Sequence, residues 1–231
     1  MATLQTSKRA LRKSLSAALR TLAPADVQRQ SELVIKRLVN SPFFQQSKCV
    51  SCYLSMPSGE LDTSSLVAEI IRSGKTLFVP KIKSTSEGQM DFLRVHGEQD
   101  LSTFPAGPWG IKEPDYEWQG ARRQSVLDSP GESLDLILLP AVAFDRSLSR
   151  LGHGKGYYDR FISAYAAAHD GRRPLLVGLA LREQVLAPGE VPMGEWDWKV
   201  DGIVSPDAIY GIRGDPLHTV NEEGGLRRMA S

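Results

Sequence analysis

Cysteine is scarce in this chain: Cys49 and Cys52 are the only two among 231 residues, so no second pair exists to complete a zinc site. Excess charge is missing too. Lys and Arg number 28 against 27 acids. Nothing therefore pulls the whole molecule toward nucleic acid or membrane, and an anion site has to be built locally. No apolar run approaches the roughly 20 residues of a membrane span. The opening "MATLQTSKRALRKSLSAALRTL" holds no signal-peptide apolar block. It is basic and amphipathic, which leaves a mitochondrial presequence open beside the preferred cytoplasmic reading.

What is present suits a globular protein: 41% hydrophobic and 24% charged residues, over a length that buries a sizeable core. The "CVSCYLS" stretch carries both cysteines. A redox pair needs its first sulfur near a helix N-terminus. Here the pair lies in a β-like run, where residues three apart face opposite sides. A structural role is expected.

Helical spacing of Leu11, Leu15, Ala18, Leu19 and Leu22 predicts a helix over 7–22. A second is expected within 23–44, with Asp26 as N-cap and Pro42 as stop. Further helices are predicted at 64–75 and 157–169. Strands are predicted at 49–55, 76–82, 90–95 (an edge), 134–144, 174–180 and 200–205. The strand over 134–144 is the most apolar, as at the centre of a parallel sheet. Residues 107–133 read as a long irregular connection, and 214–231 as a loose tail after a single domain over 1–213. The alternation gives an α/β class: a three-layer α/β/α domain with a mainly parallel central sheet.

Between the apolar strand and the helix at 157 stands "RLGHGKGYYDRF". A glycine-rich segment there sits where open α/β sheets bind ligands. Gly152, Gly154 and Gly156 let an anion approach the main chain, and Arg150 and Lys155 bring positive charge. The segment is neither a Walker loop, which needs Ser or Thr after Gly-Lys, nor a GxGxxG dinucleotide loop. Composition and position favour a phosphate site over a plain turn.

Over a longer stretch, "LLPAVAFDRSLSRLGHGKGYYDRF" resembles the signature of the 5-formyltetrahydrofolate cyclo-ligase (5,10-methenyltetrahydrofolate synthetase) family. Four more segments are similar in the right order: "KRALRKSL", "YLSMPSGELDT", "PWGIKEP" and "WDWKVDGIV". The resemblance implies ATP-dependent cyclisation of 5-formyltetrahydrofolate to 5,10-methenyltetrahydrofolate, releasing ADP and phosphate. The formyl group is an amide whose oxygen leaves poorly. Phosphorylating that oxygen makes it a leaving group, and N10 attacks the activated carbon. Such chemistry depends on positioning and charge neutralisation. The implied partner is a folate, with or without a polyglutamate tail, acted on by a monomer with no nucleic-acid or membrane partner.

Carried over residue by residue, the resemblance implies that Lys8, Arg12, Arg150, Leu151, Gly152, His153, Gly154, Lys155, Gly156, Tyr157 and Tyr158 hold ATP. Lys155, Arg150 and Tyr157 take the catalytic roles. Leu54, Met56, Glu60 and Trp109 form the folate side, with the glycine loop from His153 to Tyr157. Asp159 and Asp201 match the Mg²⁺ carboxylates, and Asp197 stands as an alternative to Asp201. Without the resemblance, Lys8 and Arg12 fit a solvated basic face equally well, and Tyr158 fits a helix core. Leu148 departs from the family by standing where many relatives have glycine. A non-catalytic nucleotide or phosphosugar sensor is the competing function, and a CxxC oxidoreductase a third.

Overall fold

A computed structural model describes residues 3–57, 59–107, 110–127 and 133–212. Trp109 and the segment 214–231 lie outside them. The helices are α1 (Leu4–Arg20), α2 (Pro24–Val39), α3 (Pro42–Gln46), α4 (Ser64–Arg72), α5 (Glu98–Ser102) and α6 (Tyr157–Ala168). The strands are β1 (Cys49–Cys52), β2 (Thr76–Ser84), β3 (Gln89–Val95), β4 (Glu117–Trp118), β5 (Ala121–Arg122) and β6 (Leu136–Leu139). They continue with β7 (Ala143–Asp145), β8 (Arg150–Leu151), β9 (Leu175–Leu179), β10 (Val185–Leu186), β11 (Gly202–Val204) and β12 (Ile209–Gly211). No helix of the described residues is long and apolar enough to cross a membrane.

Seven strands form one sheet in the order β12-β11-β9-β6-β1-β2-β3. The five inner strands are parallel, and β12 and β3 pair antiparallel at the edges. Side chains alternate between two cores, as a strand's period of two requires. Val50, Leu77, Leu136, Leu138 and Val177 pack with Val34, Leu38, Leu66 and Ile70 of α2 and α4. Phe78, Ile137, Leu139, Leu176 and Ile203 pack with Phe161, Ile162 and Tyr165 of α6. The result is the three-layer α/β/α architecture, with the apolar β6 at its centre. Cys49 and Cys52 fall in opposite cores, both buried, as their spacing predicts.

Three local expectations change. Asp26 is not the cap of α2: Pro24 opens that helix, whose missing N–H is no loss at the first turn, and Asp26 pairs with Arg29 at 2.7 Å. Pro42 lies past the end of α2 at Val39, as expected of a stop, but it also opens a new short helix, which Ser41 caps by accepting the Phe44 N–H. The strand expected over 134–144 is two strands. Pro140, lacking an N–H, ends β6, and β7 joins β10 and β8 in a separate small sheet. The glycine loop therefore follows β8 and not the central strand. Asp145 fixes this detour: its buried carboxylate accepts the N–H groups of Ser147 (2.9 Å), Ser149, Gly189 and Val191 (each 3.1 Å).

The order in which strands are added to the sheet reverses between the parallel neighbours β1 and β6. From β1 the chain passes through α4 to β2 on one side; from β6 it passes through α6 to β9 on the other. Helices leaving in opposite directions lie on opposite faces and open a crevice at the carboxyl ends of the two strands.

Candidate functional site

A cavity of about 510 Å³ occupies that crevice, lined by Tyr53 and Leu54 just after β1 and by Pro140 just after β6. Its size is that of a small-molecule site. Lys8 and Arg12 reach it from α1, while Arg9, Lys13 and Arg20 are exposed. The loop from Arg150 to Asp159 forms the facing wall.

Positive charge converges on the cavity. Arg12 Nε donates to the Gly152 carbonyl at 2.7 Å. Burial lowers the Arg12 pKa, and Asp197 partly offsets that. The buried Arg150 donates to Asp159 Oδ2 at 2.9 Å, and Lys8 pairs with Asp197. Lys155 stands exposed on the same wall. Gly154 (φ +100°) and Gly156 (φ +68°) hold left-handed turns that side chains rarely adopt. Gly156 caps α6 with no side-chain bond, so the first N–H groups of that helix face the loop as an anion site does. Arg160 braces the turn, donating to the carbonyls of Lys155 and Gly88.

The rest of the lining is mostly apolar, from Leu54, Met56, Pro80, Ile82, Met90 and Ile111. Glu60 intrudes here with its side chain only 6% exposed, and its Oε2 accepts the Met56 N–H at 3.1 Å. Burial pushes the Glu60 carboxyl up to about 7. Oε1 lies 3.8 Å from His153 Nε2, whose pKa is lowered by burial and then by Arg150 and Arg12. Burial, then the Glu60 charge, raises the phenols of Tyr53 and Tyr158 well above their ordinary range, so both remain hydrogen-bond donors. Tyr157 Oη and Arg150 Nε are buried without a partner among the described residues. Such groups cost roughly 1–3 kcal/mol each until a ligand satisfies them.

The structure brings together Lys8, Arg12, Leu54, Met56, Glu60 and every residue from Arg150 to Asp159. It does not bring Asp201. That carboxylate is held by Arg173 at 2.5 and 2.7 Å and by the Leu176 N–H at 2.8 Å, which ties β11 to β9. Asp197 lines the cavity in its place. Its loop reaches in because the Trp198 N–H donates to Asp159 Oδ1 at 3.1 Å. Among the described residues no group of three or more His, Cys, Asp or Glu side chains is gathered to hold a metal ion. Sequence reasoning missed Tyr53, Glu113 and Arg160, although each lay in a segment with a signal: "YLSMPSGELDT", "PWGIKEP" and "RLGHGKGYYDRF".

Residues 4–206 match the model of the 5-formyltetrahydrofolate cyclo-ligase family. A probable 5-formyltetrahydrofolate cyclo-ligase of Caenorhabditis elegans is 36% identical over 88% of this chain and 95% of its own. The Mus musculus 5-formyltetrahydrofolate cyclo-ligase is 34% identical over 89% and 97%. The NMR structure of Aquifex aeolicus 5,10-methenyltetrahydrofolate synthetase superposes with a TM-score of 0.69 at 31% identity, covering 94% of this chain and 99% of that one.

Proposed function

The chain belongs to the 5-formyltetrahydrofolate cyclo-ligase family, and from that premise we propose that it converts 5-formyltetrahydrofolate to 5,10-methenyltetrahydrofolate at the expense of ATP. One observation carries the reading: a single cavity is lined by cationic side chains, a glycine loop, apolar side chains and a buried carboxylate. A nucleotide and a folate would meet in it.

In this reading the N–H groups of the glycine loop and of the first turn of α6 donate to the terminal phosphates, with Lys8, Arg12 and Arg150 balancing their charge. Lys155 neutralises charge that builds as the γ-phosphoryl passes to the formyl oxygen. N10 then forms its bond to the formyl carbon. The C–O bond breaks with departure of phosphate, leaving ADP and the closed ring. Tyr157, whose hydroxyl makes no hydrogen bond among the described residues, would donate to the reacting oxygen. Leu54 and Met56 wall the pteridine, and Glu60 accepts from its N–H donors. Trp109 is assigned the same wall by the family motif alone.

Magnesium fits Asp159 and Asp197, two hard oxygen donors on the phosphate-side wall; a nucleotide and water would complete its shell. Bound there, Mg²⁺ would offset phosphate charge. Asp201, held by Arg173, does not line that wall.

Mixing the protein with ATP, Mg²⁺ and 5-formyltetrahydrofolate should produce the methenyl chromophore. ADP formation should depend on the folate. Nucleotide binding with neither product would leave only a non-catalytic sensor.

A further inference from the structure

We propose that Glu113, held by Lys81, is a specificity-determining residue that accepts hydrogen bonds from the N–H donors of the substrate's heterocycle. The inference rests on the folate reading above and adds a second recognition carboxylate to it.

Glu113 lines the cavity with Pro80, Ile82, Met90 and Ile111. Its side chain is 7% exposed, and its ion pair is to Lys81 Nζ at 3.3 Å. One long contact does not fill the roughly four acceptor positions of a carboxylate. Replacing such a buried pair with apolar side chains commonly leaves stability unchanged or improved, so stability alone does not account for it.

The backbone around Glu113 is built to present it. Its N–H donates to the Pro105 carbonyl at 3.1 Å, and the Gly107 N–H donates to the Ile111 carbonyl at 2.7 Å. Gly107 lies directly on the Glu113 side chain: a Cβ there would come within 3.1 Å of both Cγ and Cδ. Lys81 is steadied in turn over the Tyr116 ring, 5.7 Å from its centroid. Glu60 stands beside His153 of the glycine loop, whereas Glu113 stands next to the antiparallel bridge between Ala106 and Lys112. A flat heterocycle with amino and ring N–H groups offers more donors than one carboxylate takes, and the second acid supplies the remaining acceptors.

The test sets the natural folate, 5-formyltetrahydrofolate, against its 2-desamino analogue, both in equilibrium binding and in steady-state kinetics. Glu113→Gln should raise the folate KM roughly 10- to 100-fold, the loss of a charge-assisted hydrogen bond, while the ATP KM changes less than about twofold. Wild type should bind the analogue more weakly than the natural folate, and Glu113→Gln should lose most of that discrimination. A purely structural acid would not couple to the missing amino group. Unchanged folate KM, or undiminished discrimination in the variant, overturns the proposal. Should Glu113→Gln fail to fold, Lys81→Met must shift the discrimination by at least about threefold, since it removes the cation that competes for the carboxylate; no shift overturns it equally. A wild type that binds both folates but forms no methenyl product counts against the function, and binding still decides Glu113. A wild type that binds neither overturns both.

Discussion

Glu60 and His153 face each other in the cavity, carboxylate Oε1 3.8 Å from imidazole Nε2. The contact joins the loop after β1 to the loop after β8. Burial drives both toward their neutral forms, Glu60 upward to about 7 and His153 downward. Glu60 is therefore the member poised between neutral and charged near physiological pH, beside a neutral imidazole.

A pH-dependent stability follows. Between about 4.5 and 7 the native Glu60 keeps a proton that the unfolded chain has released, so stability falls as pH rises through that window. The lowered pKa of His153 gives the opposite slope below 6.5. That slope is common to wild type and variant and cancels in their difference. Glu60→Gln should match wild type near pH 4 and exceed it above pH 7 by on the order of 2–3 kcal/mol. Urea titrations at pH 4 and pH 8 measure this, and a pH-independent difference contradicts it. The same variant should weaken folate binding more than ATP binding.

Lys155 is exposed and makes no side-chain bond among the described residues, so removing its ammonium leaves the fold nothing to lose. Lys155→Ala should keep the wild-type melting temperature while kcat drops by roughly 100-fold or more, the scale of a lost transition-state contact. Near-normal turnover would remove Lys155 from the phosphate site.

Periodicity made the layers legible. Alternating apolar residues in 49–52 and 136–139 split between two cores, and Phe161, Ile162 and Tyr165 set the buried face of α6. Short elements were not legible, because β7, β8 and β10 owe their pairing to Asp145 and Pro140 and not to any repeating pattern. The glycine loop could be read because φ > 0 and close approach demand glycine. Which of Asp197 and Asp201 enters the cavity could not. Both occur in "WDWKVDG", and the choice is made by tertiary partners, Lys8 for one and Arg173 for the other.

Leu148 occupies a left-handed turn at φ +66°, a backbone shape that glycine adopts more readily. Its side chain compensates by packing against Gly211, where a Cβ would meet Leu148 Cδ1 at 2.9 Å. Leu148→Gly trades roughly 1–2 kcal/mol of relieved strain for a similar loss of packing and should lie within about 1 kcal/mol of wild type. Leu148→Val puts a β-branch where φ is positive and should cost about 2 kcal/mol. Thermal denaturation separates the two, and equal effects would contradict the account.

Asp197 and Asp201 lie four residues apart and should respond differently to neutralisation. Asp201→Asn weakens the two-pronged grip on Arg173 and one backbone bond, at partial exposure, so it should cost roughly 1–2 kcal/mol of stability with ATP affinity unchanged. Asp197→Asn leaves the buried Lys8 without its counter-charge and so should cost stability as well, but it should also alter nucleotide binding, in a sense that depends on metal. In EDTA the variant frees Lys8 from its internal acid, so ATP should bind at least about threefold more tightly than to wild type. With Mg²⁺ present the lost carboxylate is a lost oxygen donor, and ATP should bind more weakly, by roughly tenfold. Equilibrium binding with and without the metal reads both signs. If Asp197→Asn shifted ATP affinity in the same direction under both conditions, Asp197 would be only a counter-charge to Lys8, and its assignment to the metal would fail.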